Sequence, residues 1–182
     1  PAGDPAAGKE VFASAGCAAC HTLAHAGASG AVGPSLDETK PAYDLVIDPT
    51  NLWLTIHESI GHATELDRAL GYEANYAGMA FATPDKLGTL RYGSEHMHVT
   101  GDRTAQHGLS SVGYDDEGVA AQQFDIIRDG VLVGYQLDRR IASRVGYDRS
   151  NGCAFADSPG HVPIQRMANV SLQPAAGGPS TD

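Results

Sequence analysis

Two histidines and a glutamate carry the most pointed chemistry in the chain. They stand in the stretch His57-Glu58-Ser59-Ile60-Gly61-His62, and Glu65 follows three residues later. Two neutral imidazoles hold a zinc ion without cancelling its charge. Zinc lowers the pKa of a bound water toward 7, and a carboxylate beside that water takes its proton and later passes it to a leaving amine. His57 and His62 are the candidate ligands, Glu58 the candidate general base, and Glu65 a candidate third ligand or a brace behind the ligands. The histidines are five residues apart rather than the four of the common zincin motif. At about 100° per residue of ideal helix they differ by roughly 140° and straddle one face. Gly61 lies between them without a side chain, so a metal can sit close over the backbone, and a local bulge there would ease the geometry. The bare pattern also fits a surface helix with unrelated histidines and acids.

A second constellation is Cys17-Ala18-Ala19-Cys20-His21. Two thiols placed this way can add to the vinyl groups of haem while the adjacent histidine reaches the iron. The plainer alternative is a redox or zinc-binding cysteine pair. Met79, in Ala77-Gly78-Met79-Ala80-Phe81, imitates a loop that brings a sixth iron ligand, but is read first as a core residue. His25 reads as an exposed loop residue. Cys153 stands alone, so there is no disulfide framework.

The elements that must position these groups follow from spacing. Asp48-Pro49 is a helix start, with Asp as the cap and Pro at the first helical position. Leu52, Ile56, Ile60, Ala63 and Leu70 recur at helical spacing, and Gly71 is a stop. One helix is therefore predicted over about 49–70. A shorter one is predicted over Lys9–Ala15. Glu95–Thr100 alternates as a strand, with His96 and His98 on one face, and Gly101-Asp102 reads as a turn. Phe124–Arg128 and Val131–Tyr135 flank Asp129-Gly130, a two-residue hairpin signal. Gln136–Arg144 reads as helix, and Asp115-Asp116-Glu117 as an acidic turn. Asn169 is a candidate for orienting backbone or substrate. His107 and His161 read as loop residues.

The 182 residues suffice for one ordinary domain or two small ones. Hydrophobic residues make up 42% and charged residues 19%, which allows a packed core. The formal net charge of -10 argues against a nucleic-acid partner and suits a soluble enzyme or an electron-transfer protein with a basic redox partner. No apolar run approaches the roughly 18 residues a membrane span needs. The chain begins at Pro1 with no signal peptide in view, which reads as a processed chain or a piece of a longer one.

The blocks HESIGHATELD at 57–67, DDEGVAAQ at 115–122, RDGVLVGYQLDRR at 128–140 and HVPIQRMANVSLQP at 161–174 occur in the order found in the TldD/PmbA family of modulator-of-gyrase metallopeptidases. Residues 43–178 resemble that family. The resemblance implies an α+β fold, with a metal helix on a largely antiparallel sheet, and a zinc peptidase acting on peptides or unfolded segments as a homodimer or a TldD/TldE-type heterodimer. It assigns zinc to His57 and His62, catalysis to Glu58, and an acid role after the second histidine to Glu65. Family members also carry an N-terminal α/β domain and a later cysteine as third ligand. Glu65, His161 and Cys153 are the substitutes available here, Glu65 first on helix geometry.

Residues 1–42 resemble the opening half of a class I cytochrome c, through Gly8-Lys9-Glu10-Val11-Phe12, the Cys17–His21 motif and Gly33-Pro34-Ser35-Leu36. This resemblance implies haem c, bound by Cys17, Cys20 and His21 with Met79 as a sixth-ligand candidate, on a short helical segment. A chain that changes family near residue 42, with part of each, reads as a chimera: segments 1–42 and 43–178, and a flexible tail 179–182. The peptidase reading places it in the cytoplasm and the haem reading outside it, so at most one site is expected to mature. A zinc peptidase core is the leading expectation, followed by a haem electron-transfer protein and then an inactive binding module.

Overall fold

The computed structural model describes residues 4–33, 35–37 and 46–175, and the chain divides into two units, 1–46 and 47–182. In the first unit helix α1 runs Pro5–Ser14. It is longer than the predicted Lys9–Ala15 because Asp4 caps it, accepting from the Ala6 and Ala7 amides, with Pro5 at the first position. A tight turn over Cys17–Ala19 leads to strand β1 (Thr22–Leu23), which pairs antiparallel with β2 (Ala28–Ser29). Only Ala28 is buried among the described residues of this unit.

The second unit mixes helices with antiparallel sheet, as expected. Helix α2 (Pro49–Ile56) begins at Asp48, whose Oδ1 accepts from the Thr50 amide at 2.8 Å. Those bonds to Thr50 hold the exposed Asp48 carboxyl below its ordinary pKa. The single helix predicted over 49–70 is broken. A wider i→i+5 turn occupies His57–Gly61, a tight turn follows over His62–Thr64, Glu65 is extended, and the short α3 spans Leu66–Ala69. The break is tertiary in origin. Gln136 exchanges backbone bonds with this segment (Gln136 N–H to Thr64 O at 2.9 Å, Leu66 N–H to Gln136 O at 3.3 Å), forming a parallel bridge between Glu65 and Gln136.

A four-stranded antiparallel sheet has the order β5 (Val131–Leu132), β4 (Gln123–Arg128), β3 (His98–Asp102), β8 (Asn169–Gln173). Gly101-Asp102, expected as a turn, lies within β3. The Phe124 ring of the neighbouring strand covers Gly101, filling the space a side chain would take. A register shift between Val99 and Thr100 places an extra residue, Ile126, on β4. It lets consecutive Ile126 and Ile127 both be buried in the core with Val99, Leu132, Leu66, Tyr135 and Ile141. Helix α4 (Arg139–Ala142) is capped by Asp138 and is shorter than the predicted 136–144, since Gln136 is taken up by the bridge. Strands β6 (Ala154–Phe155) and β7 (Ile164–Gln165) form a separate antiparallel pair.

The hairpin forms as predicted, with positive φ at Asp129 (51°) and Gly130 (76°). A side chain at Gly130 would collide with the Gly93 and Ser94 carbonyls. Gly130→Ala is therefore expected to lower stability by about 1–3 kcal/mol in urea unfolding. Among the described residues no helix is long and apolar enough to cross a membrane.

Candidate metal centre

The i→i+5 turn decides the site. Residues five apart straddle an ideal helix, but one such turn sets them one above the other. The His57 and His62 rings meet edge to face, 83° between planes, with centroids 4.5 Å apart. The straddle of roughly 140° that an ideal helix would impose is relieved by a local bulge ending at Gly61, as anticipated there. One ligand-capable atom each from His57, Glu58 and His62 lies within 4.8 Å of the others. Both histidines are half-buried and Glu58 is exposed. Two imidazoles and a carboxylate at this separation suit a zinc ion.

Glu65 lies behind the cluster. It is 2% exposed, with Oε2 2.8 Å from His62 Nδ1 and 3.5 Å from Arg68 Nε. Burial pushes its carboxyl up to about 7, against the pull of Arg68. Burial, then the Arg68 charge, lowers the pKa of His62 and favours the neutral imidazole. When Glu65 is ionised, the 2.8 Å contact is one in which Nδ1–H of His62 donates to it, which leaves the lone pair on Nε2, the form a metal needs. Arg68 is held by an ion pair with Glu73 (2.9 Å) and by donating to the Ala77 carbonyl (2.9 Å).

The turn is clamped from elsewhere in the chain. Gln136 Nε2 donates to the Gly61 carbonyl at 2.7 Å, and Gln136 Oε1 accepts from the Ala168 amide at 2.8 Å. Thr64 Oγ1 donates to Ile60 O at 2.7 Å. The Met167 Sδ lies 2.5 Å from where a Gly61 side chain would begin. Sequence reasoning missed Gln136, Thr64 and Met167. Gln136 is 75 residues from Gly61, and no short-range pattern signals such a partner.

A groove of about 560 Å³ runs beside His57, lined by Trp53 and Ile56 of α2 and by Ser110, Met167 and Leu172. Strand β8 forms its wall and is an edge strand of the sheet among the described residues. Asn169 orients backbone, as anticipated. It accepts from Ser110 N–H (2.9 Å) and donates to Asp102 O (2.7 Å), fixing that loop on the sheet.

The other candidates lie apart from the cluster. Cys153 is fully buried, its thiol pushed up to about 12 by burial. His161 is exposed and paired with Asp157. His96 falls in an exposed turn, while His98 on β3 faces Asp129 at 3.5 Å, so the expected shared strand face is not formed. His107 is an exposed loop residue. Asp115 organises backbone, accepting from Val119 N–H at 2.8 Å and Ala154 N–H at 3.1 Å. Met79 corrects the expectation of a core residue: it is 69% exposed.

In the first unit Cys17 is half-buried and Cys20 exposed, both as free thiols, and the His21 amide donates to Cys17 O at 3.0 Å. A single buried alanine offers no apolar enclosure for haem among the described residues, so the segment does not fit that group as it stands.

Asp67, 4% exposed, is pushed up to about 6 by burial first and by Glu73 second. A carboxyl with a raised folded pKa costs stability once it ionises. The cost is absent below the ordinary value of 3.8 and complete above about 6. Asp67→Asn is accordingly expected to gain about 1–3 kcal/mol in urea unfolding at pH 7.5 and nothing at pH 3.5.

Residues 40–181 match the family described as PmbA/TldA metallopeptidase C-terminal domain. The chain belongs to this family. A metalloprotease of Methanocaldococcus jannaschii is 34% identical over 140 residues, covering 74% of this chain and 28% of that protein. A zinc metalloprotease TldD homolog of Saccharolobus solfataricus is 31% identical over 133 residues, 72% of this chain and 28% of its own length. The chain thus spans little more than a quarter of these relatives. The crystal structure of TldE from Thermococcus kodakarensis shares the fold, with a TM-score of 0.51 at 20% identity over 65% of this chain and 25% of that one. The family match includes the whole cluster from His57 to Glu65 and begins after the Cys17–His21 motif.

Proposed function

We propose that this chain is the catalytic core of a zinc peptidase acting on extended peptides. The supporting observation is the convergence of His57, Glu58 and His62 atoms within 4.8 Å at the mouth of a groove walled by an edge strand. His57 and His62 would hold the ion, with Glu65 keeping His62 in the required tautomer. When bound, zinc supplies Lewis acidity toward water and the scissile carbonyl. Glu58, exposed and adjacent, accepts the proton of the attacking water and returns it to the leaving amine. The apolar groove along β8 takes an unfolded chain, because an unpaired strand edge offers main-chain hydrogen bonds without regard to sequence. The names of the relatives support a second chain of the same family as partner.

The test is zinc content and hydrolysis of an unfolded peptide on one sample. About one zinc per chain and chelator-sensitive cleavage are expected. Cleavage that survives complete zinc removal would sink the reading.

A further inference from the structure

We infer that Arg103 and Arg166 form a carboxylate-binding subsite that opens from the peptide groove. A second cavity of about 300 Å³ is lined by both arginines with Leu109, Ser110, Phe155 and Met167. Leu109, Ser110 and Met167 also line the groove beside His57, so the two spaces share a wall. Arg103 is 5% exposed, and its buried Nε has no hydrogen-bond partner. Among the described residues neither guanidinium has an ion pair or a side-chain hydrogen bond.

That combination is costly without a ligand. A buried charge needs a partner, and a guanidinium cannot escape by losing its proton. The acids close in sequence are already committed. Asp102 Oδ1 accepts from the Thr104 amide and hydroxyl, both at 2.7 Å. Asp115 spends both oxygens on the amides of Glu117, Val119 and Ala154. The backbone keeps Arg103 in place, since its N–H donates to Gln122 O and its carbonyl accepts from Val112 N–H, both at 3.0 Å. Arg166 is anchored by donating its N–H to Cys153 O at 2.7 Å.

Two unpartnered guanidiniums beside apolar walls fit a carboxylate, which accepts paired N–H bonds in one plane. Leu109, Phe155 and Met167 supply contact for an apolar side chain next to it. The carboxylate is the C terminus of a peptide or an Asp or Glu side chain. The inference rests on the peptidase reading for its substrate.

The experiment uses one unfolded peptide sequence with a free or amidated C terminus, and with Glu or Gln near that end. Binding to the metal-free chain and zinc-dependent kcat/KM are both measured. Removing the recognised carboxylate is expected to weaken both about tenfold or more, and the penalty disappears in Arg166→Gln and in Arg103→Met. Loss on amidation assigns the site to the terminus, and loss on Glu→Gln assigns it to a side chain. Arg103→Met is also expected to raise the unfolding temperature of the free chain, since it removes an unpaired buried charge. If Arg103→Met does not fold, Arg166→Gln carries the comparison. Cleavage indifferent to both carboxylates overturns the subsite and leaves the peptidase reading intact. Carboxylate-dependent binding without cleavage does the reverse, and neither binding nor cleavage overturns both.

Discussion

Glu58→Gln is expected to lower peptide hydrolysis about 10²–10⁴-fold while leaving the zinc content of the chain unchanged. The amide keeps the size of the side chain, but cannot accept the proton of an attacking water. Glu58 is exposed and lies in the same cluster as the two imidazoles, so its substitution disturbs no packing. The pairing of readouts matters because a carboxylate in this cluster has two available roles. A base leaves zinc in place when it becomes an amide, whereas a ligand releases it. His62→Ala removes a proposed ligand and is expected to lose zinc and activity together. Glu58→Gln with zinc lost would reassign Glu58 to the ion and require a different base.

The second large effect is expected at Gln136, whose side chain bonds to Gly61, Thr64 and Ala168 rather than to either histidine of the cluster. Gln136→Leu keeps the volume and removes all three hydrogen bonds of the side-chain amide, to Gly61 O, Thr64 Oγ1 and the Ala168 amide. The Ala168 amide then has no partner from this side chain, and the Gly61 carbonyl loses its 2.7 Å donor. A buried amide left unpaired costs about 1–3 kcal/mol, so urea unfolding should show a loss of about that size. The i→i+5 turn is held open at Gly61, and it is this turn that stacks His57 on His62. Zinc affinity should therefore fall about 10–100-fold, as for other supports behind a metal ligand. A titration on the folded variant separates the two consequences. Unchanged zinc affinity with lower stability would reduce Gln136 to a structural role.

Much of the site was legible because its chemistry is local. His57, Glu58 and His62 fall within one short segment, so residue types suited to metal binding and proton transfer can be seen side by side without knowing the fold. Helix starts were equally readable. Asp4-Pro5 went unused in the reading although it carries the same capping device as Asp48-Pro49, and α1 starts there. The hairpin at Asp129-Gly130 was legible because only small or flexible residues accept positive φ at both turn positions.

What was not legible depended on distant partners. Helical periodicity continued through Ile60, Ala63 and Leu70, yet the chain leaves helix at Glu65 to bond with Gln136. Gly101 looked like a turn residue until Phe124 was found to lie over it. Met79 was expected in the core because it lies within the region resembling the peptidase family, but it is 69% exposed. Arg103 gave no signal at all, since only the fold buries it without a partner.

The sequence by itself determined the reactive groups, the points where helices begin and the one tight hairpin, all consequences of side-chain chemistry or backbone sterics within a few residues. The tertiary structure alone decided how the two imidazoles face each other. Their five-residue spacing holds them apart on a regular helix. It brings them together only where Gln136, Thr64 and Met167 stabilise a wider turn at Gly61.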